Sequence, residues 1–373
     1  MRNILLPPGF KDELFEQSST EHKYKNKIIK IFQKNGYALI KTPLIEYANA
    51  YNKNNSFLIK IEKNQKDLTL RNDITMQIAR VASSRLVNNQ RPLKICYYGE
   101  VVRKKGTMLR PERQFLQVGA ECIGEMNYLA DVEILNLAYE SLNSVGIKDI
   151  TIELSSNVFL DFLLKKNKNK KSEDKIRSFL RKKDLKNTIK YLNNDLINFA
   201  KTLLACSGNF HEKKLLLNKL KINKDTKIAV EELTKIFKNF QKINNNVEII
   251  LDLTETDYLN YHNGARFTIF SKNVRGEVAR GGRYQTNNGK KIENSTGFNC
   301  YMDTIIRAST YKENIKKILI PFNTKKLVRN KIIKKGFIIE TFFDKKINIK
   351  KLAKIRNCHS YLLKNKIIKL KSV

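Results

Sequence analysis

Apolar residues recur at helical spacing near the start of the chain. Tyr24, Ile28, Ile31 and Phe32 fall on one face of a helix predicted over residues 18–36. Ser18, Ser19 and Thr20 offer hydroxyls to cap its start, and Gly36 stops it. "YALIKTPLIEY" then reads as strand, interrupted by Pro43. "DLTLRNDITMQIARVASSRLV" begins as a short strand ending near Arg71 and turns into a helix, with Ile74, Ile78, Ala79, Ala82 and Leu86 on one side. Two runs follow with a period of two, "RPLKICYYGEVVR" and "RQFLQVGAECIG", predicted as antiparallel partners joined by the polar tether "KKGTMLRPE". Residues 131–145 read as an amphipathic helix and "DITIELSS" as another strand.

The pattern changes over residues 163–245, where Lys- and Asn-rich helical pieces carry little strand signal. Strand character returns in "VEIILDLTET", "ARFTIFSK" and "GEVARGGRY", and "TGFNCYMDTIIRAS" reads as a strand entering a helix. The last stretch alternates "KKILIPF", a helix, "GFIIETFF", a helix and "SYLLKNKIIKL". There is no internal repeat. Mostly antiparallel strands with interspersed helices argue for an α+β fold rather than a doubly wound sheet. The expected organisation is a core over 1–160 and 246–314, a helical insertion over 161–245 and a short basic α/β remnant over 315–373.

Composition alters this picture only slightly. A chain of 373 residues predicts more than one domain. No run approaches the roughly 20 apolar residues that cross a bilayer. "MRNILLPPGFKDELFEQ" has too short an apolar run for a signal peptide, so a cytoplasmic protein is expected. The five cysteines are widely spaced and no C-x-x-C pair occurs; with four histidines, a zinc cluster is not expected and the thiols read as reduced and buried. The net charge of +36 would suit nucleic acid. However, Lys, Asn and Ile are abundant together along the whole chain, which reads as compositional drift rather than an Arg-rich binding stripe. A nucleic-acid partner is therefore not expected.

Four polar stretches lie in strand-like contexts. "TLRNDITMQIAR" sets Arg71, Asp73 and Thr75 where a strand meets a helix, and "YYGEVVRKKG" sets Arg103 at a strand end. In "RQFLQVGAECIG", alternation puts Arg113, Phe115, Gln117, Gly119 and Glu121 on one face, so Gln117 and Glu121 project together. The fourth is "TETDYLNYHNGARFTIF", followed by "GEVARGGRYQ". Buried carboxylates, amides and guanidinium groups must pair with one another or with a ligand. A ligand with an ammonium or imidazole for the carboxylates and a carboxylate for the arginine is an amino acid; a solvated sheet face is the plainer alternative.

On these residues the chain resembles the catalytic core of class II histidyl-tRNA synthetases. "LPPGFKDELFEQ" resembles their opening segment, "LRNDITMQIAR" their glutamate-bearing loop and "YYGEVVR…RPERQFLQVGAECIG" their motif 2. "YLNYHNGARF" resembles their histidine-binding strand and "ARGGRYQ…TGFNCYMDTI" their motif 3 region. The resemblance is closer still to the non-catalytic paralogues of these enzymes, the regulatory subunits of ATP phosphoribosyltransferase. Motif 2 reads Arg103-Lys104-Lys105 where the synthetase has an Arg-Glu pair, and Asp257 stands where its histidine strand begins with arginine. The anticodon domain shrinks to about 58 residues.

The resemblance implies a histidine site at Asp73, Thr75, Arg103, Gln117, Glu121, Tyr261 and His262, with no catalytic residue, metal or cofactor. In it, Asp73 replaces a glutamate that receives the ammonium, and Arg103 faces the carboxylate. Gln117 and Glu121 line the site, and Tyr261 and His262 match a Tyr-Tyr pair that holds the imidazole. It further implies a homodimer core formed through residues 18–47 within a hetero-oligomer with a short catalytic subunit, and L-histidine as feedback effector. A divergent histidyl-tRNA synthetase and an RNA-binding relative are the alternatives; Asp257 and the short, aromatic-poor C-terminus speak against them.

Overall fold

The computed structural model describes residues 5–48, 55–61, 66–107, 110–254, 262–287, 292–310, 316–343 and 348–370, with the side chains of His262 and Asn287 excepted. The chain divides into two compact units, Met1–Thr310 and Tyr311–Val373.

The first unit is built on a nine-stranded sheet. Its order is Ala38–Ile40, Leu93–Val102, Gln114–Ile123, Ile292–Tyr301, Ala279–Asn287, His262–Ser271, Ile150–Ser156, Glu248–Leu251 and Gly208–Asn209. Every pairing is antiparallel except Ala38–Ile40 with Leu93–Val102 and Ile150–Ser156 with Glu248–Leu251. The expected α+β fold, a mostly antiparallel sheet flanked by helices, is therefore what the chain adopts, and the two period-two runs are direct partners.

One sheet face carries the main core. Cys96, Val118, Ala120, Cys122, Phe298, Cys300, Phe267 and Ile269 pack there against the helices Phe15–Lys34, Tyr128–Ser144 and Lys224–Ile243. The first helix buries Tyr24, Ile28 and Phe32 as its spacing predicts, but it begins earlier than expected. Leu14 holds the N-cap position without a side-chain bond, and the Thr20 hydroxyl donates back to the Glu16 carbonyl at 2.6 Å instead of capping. The Lys/Asn-rich stretch is helical, as read; Leu163, Ile176, Leu180, Phe199, Phe210 and Phe240 join the same core, and Gly208–Asn209 extends the sheet.

The opposite face receives the helix Thr75–Ser84 through Ile74, Ile78 and Ala82, against Ile95, Tyr97, Val101, Phe115 and Tyr301. Beside it Arg71 is buried, donating from Nε to the Glu100 carbonyl (2.7 Å) and from Nη1 to the Thr42 carbonyl (3.0 Å). Gly99 makes room for it: a Cβ there would lie 1.9 Å from Arg71 Nη2. A third, three-stranded sheet of Ile45–Tyr47, Leu68–Leu70 and Leu58–Ile59 stands next to this corner.

The second unit is a four-stranded sheet in the order Phe337–Phe342, Lys316–Pro321, Ser360–Leu363, Lys366–Lys369, with helices Lys326–Lys334 and Ile349–Ile355. Separate apolar clusters form around Ile318, Ile320 and Ile332 and around Leu319, Phe342 and Ala353. All five cysteines are free and buried, as expected. No helix among the described residues is long and apolar enough to cross a membrane.

Candidate functional site

Strand alternation aims the polar residues of Gln114–Ile123 at the face that carries Thr75–Ser84. Gln117 and Glu121 both project there and both are buried. The neighbouring strands add to this face by register. Tyr97 pairs with Gly119, Gly119 with Asn299 and Glu121 with Gly297. Arg280 and Gly282 lie opposite Asn299 and Gly297 one strand further on, with Tyr284 two residues beyond Gly282. Directly paired residues in an antiparallel sheet share a face, so four strands contribute to one surface.

The loop before Thr75–Ser84 is tied to this surface. Asp73 Oδ1 accepts from the Thr75 amide at 2.8 Å, which satisfies a free helix N-terminal donor. Asp73 Oδ2 accepts from Gln117 Nε2 at 2.8 Å, and Gln117 Oε1 accepts from the Ile74 amide at 3.0 Å. The Gln117 amide therefore fixes the carboxylate of Asp73 over the sheet.

Glu121 is the most deeply buried acid of the group, 1 % exposed. Its Oε1 lies 2.7 Å from the Tyr97 hydroxyl and its Oε2 accepts from the Tyr284 hydroxyl at 2.9 Å. Burial pushes its carboxyl up to about 8; the two tyrosine hydrogen bonds pull the other way and the charge of Asp73 adds to the rise. The proton inventory bears on the same point. The Tyr97 oxygen also lies 2.8 Å from Asn299 Oδ1 and 3.1 Å from Thr75 Oγ1, yet a phenol has one proton. A proton on Glu121, donated to Tyr97 while Tyr97 donates to Asn299, satisfies both contacts. Turning the Asn299 amide end for end also does so, but only the first agrees with the burial of the acid.

Gly297 is what leaves space for this carboxylate, since a Cβ there would lie 1.6 Å from Glu121 Oε2. Among the described residues, Thr75, Glu121, Arg280, Gly282, Tyr284 and Asn299 surround a cavity of about 10 Å³. That holds about one water molecule.

Of the residues expected from sequence, Asp73, Thr75, Gln117 and Glu121 converge here. Arg103 stands apart, its guanidinium 4.9 Å from the ring centre of Phe115 and 5.8 Å from that of Tyr301. Arg110 covers the same two rings at 4.3 and 3.8 Å and is itself buried, paired with Asp303 and Glu277 at 3.2 and 3.3 Å. His262 enters the site strand with its backbone opposite Tyr284. Tyr261 and Asp257 lie outside the described residues. Tyr97, Tyr284, Arg280 and Asn299 were given no role from sequence. The aromatic-rich run "ICYYGEVV" and the paired glycines of "ARGGRY" were their only local signal. No group of three or more potential metal ligands occurs among the described residues.

The histidyl-tRNA synthetase family matches residues 9–305. An ATP phosphoribosyltransferase regulatory subunit of Rhodospirillum centenum is 31% identical over 328 residues, 86% of this chain and 84% of that protein. One of Paramagnetospirillum magneticum is 29% identical over 370 residues, 96% of each chain. Among solved structures, an ATP phosphoribosyltransferase regulatory subunit/histidyl-tRNA synthetase of Bacillus halodurans superposes with a TM-score of 0.80 at 22% identity, covering 95% of this chain and 97% of that one. A histidyl-tRNA synthetase of Nostoc gives 0.75 at 17%, covering 97% and 92%.

Proposed function

This chain belongs to the histidyl-tRNA synthetase family, among its ATP phosphoribosyltransferase regulatory subunits, and on that footing we propose that it binds L-histidine without activating it and transmits that binding to a short catalytic subunit. The observation that carries the reading is the convergence of Asp73, Thr75, Gln117 and Glu121 on one sheet face, four of the positions at which the family resemblance implies histidine contacts. Asp73, held by Gln117, is the acceptor for the ammonium. Glu121, with Tyr97 and Tyr284, forms a polar floor that can give or take a proton. The family resemblance implies that Tyr261 and His262 serve the imidazole, and Arg103 stands at the outer end of the same face.

Feedback requires that histidine bind the inhibited assembly better than the active one, and the difference is the coupling free energy between the two sites. Self-association through residues 18–47 fits the surface there. Ala38–Ile40 is an edge strand of the large sheet, and Leu39, Leu44, Ile45 and Tyr47 are exposed around it. Unpaired edges with apolar neighbours are what a second copy covers.

The test combines two assays on the purified chain. Histidine-dependent ATP–pyrophosphate exchange should stay at background, because Asp257 stands where the synthetase carries an arginine, and loss of one such group typically costs about 10²–10³ in rate. The chain should also stimulate a short ATP phosphoribosyltransferase and render it sensitive to histidine. Exchange well above background, or no effect on the transferase, would overturn the proposal.

A further inference from the structure

The cation that lines the cavity with the buried acid is Arg280, not Arg103. Arg280 pairs in register with Asn299, which pairs with Gly119, so its side chain leaves the sheet on the same face as Tyr97, Gln117 and Glu121. It is half-buried and lines the cavity together with Thr75, Glu121, Tyr284 and Asn299. Gly282 and Gly297 border it on that face, so no side chain from either position stands between the guanidinium and the cavity. Arg103, by comparison, sits beyond Gln117 over Phe115 and Tyr301 and is not among the lining residues.

We propose that Arg280 is the residue by which this pocket selects ligands that carry a carboxylate. The proposal rests on the pocket reading above and refines it. A guanidinium presents a fixed fork of N–H donors that matches a carboxylate in two parallel hydrogen bonds. Glu121 lines the same cavity, and burial keeps it protonated well above the usual carboxylate range. At the other side of the surface Asp73 presents acceptor oxygens, oriented by Gln117. The site thus offers an acid for an ammonium and a fork for a carboxylate, separated by a hydroxyl-rich floor, which is the pattern of an α-amino acid. Because the cavity holds only about one water, a lining group must move when the ligand enters. Arg280 has the longest side chain among them.

Calorimetric titration of the full chain with L-histidine and with histamine tests this directly, since the two share imidazole and amine and differ in the carboxylate. Wild type should bind histidine about 10- to 100-fold more tightly than histamine, the range of one charge-assisted contact. Arg280→Met should bring the ratio close to one, chiefly by weakening histidine, and Arg280→Lys should retain part of it. Melting of each unliganded variant checks folding, and Arg280→Lys carries the test if the methionine variant does not fold. A folded Arg280→Met, or Arg280→Lys in its place, that discriminates like wild type overturns the role of Arg280. A wild type that binds both compounds equally does so too, while leaving the pocket in place. Binding of neither compound removes the pocket and this role together.

Discussion

Replacing Glu121 by Gln isolates one proton in the core. In the unfolded chain a glutamate ionises near 4.5, whereas burial raises Glu121 to about 8 in the folded protein. Between those values the folded chain holds a proton that the unfolded chain has released, so stability falls as pH rises. The contribution is fully present below about 4.5 and is lost as pH passes about 8. Each pH unit in that window is worth about 1.4 kcal/mol for one proton, which sets a ceiling of roughly 5 kcal/mol for the whole window. Glutamine has nearly the same shape, can accept from Tyr284 and donate to Tyr97, and does not titrate. Urea unfolding at pH 5, 6, 7 and 8 should therefore show Glu121→Gln gaining on wild type as pH rises, by at least about 2 kcal/mol between the ends. Parallel curves for the two proteins would mean that Glu121 is ionised throughout, and would sink the proton assignment with it.

Gly297→Ala should destabilise by about 1–3 kcal/mol and abolish any thermal shift by histidine, because its Cβ would lie 1.6 Å from the Glu121 carboxylate; an unchanged urea midpoint would refute this. Arg283→Met should be more damaging. Arg283 holds Asp131 Oδ2 from Nε at 3.0 Å and Nη2 at 2.5 Å, and its loss strands a buried carboxylate, about 3–5 kcal/mol. That deficit should be smaller at pH 4 than at pH 7, since burial already raises the pKa of Asp131 and losing the guanidinium raises it further; an equal deficit at both would exclude a charge effect.

Strand period carried most of what could be read in advance. Alternation in "RQFLQVGAECIG" put Gln117 and Glu121 on one face, and the switch from strand to helix in "TLRNDITMQIAR" set Asp73 and Thr75 beside each other. Both are local facts, and they hold. Tyr97, Asn299, Tyr284 and Arg280 reach the site through cross-strand register, which depends on the order of strands separated by up to about two hundred residues and leaves no periodic mark. The setting of Arg103 was hidden for a related reason. Its position at a strand end was legible, but the pull of the Phe115 and Tyr301 rings on its guanidinium was not. The helix starts ahead of the predicted hydroxyl caps because Thr20 can satisfy its hydroxyl inside the helix as well as at its end.

The fit of Arg71 against Gly99 binds two distant codons into one heritable unit. Any side chain at 99 would meet the guanidinium at 1.9 Å, and expelling Arg71 would leave the carbonyls of Thr42 and Glu100 without their donor. Neither change is tolerable alone, so a lineage can leave this arrangement only by altering both positions together. Elsewhere the chain is rich in lysine. At this corner geometry excludes a side chain at 99 whatever the composition elsewhere.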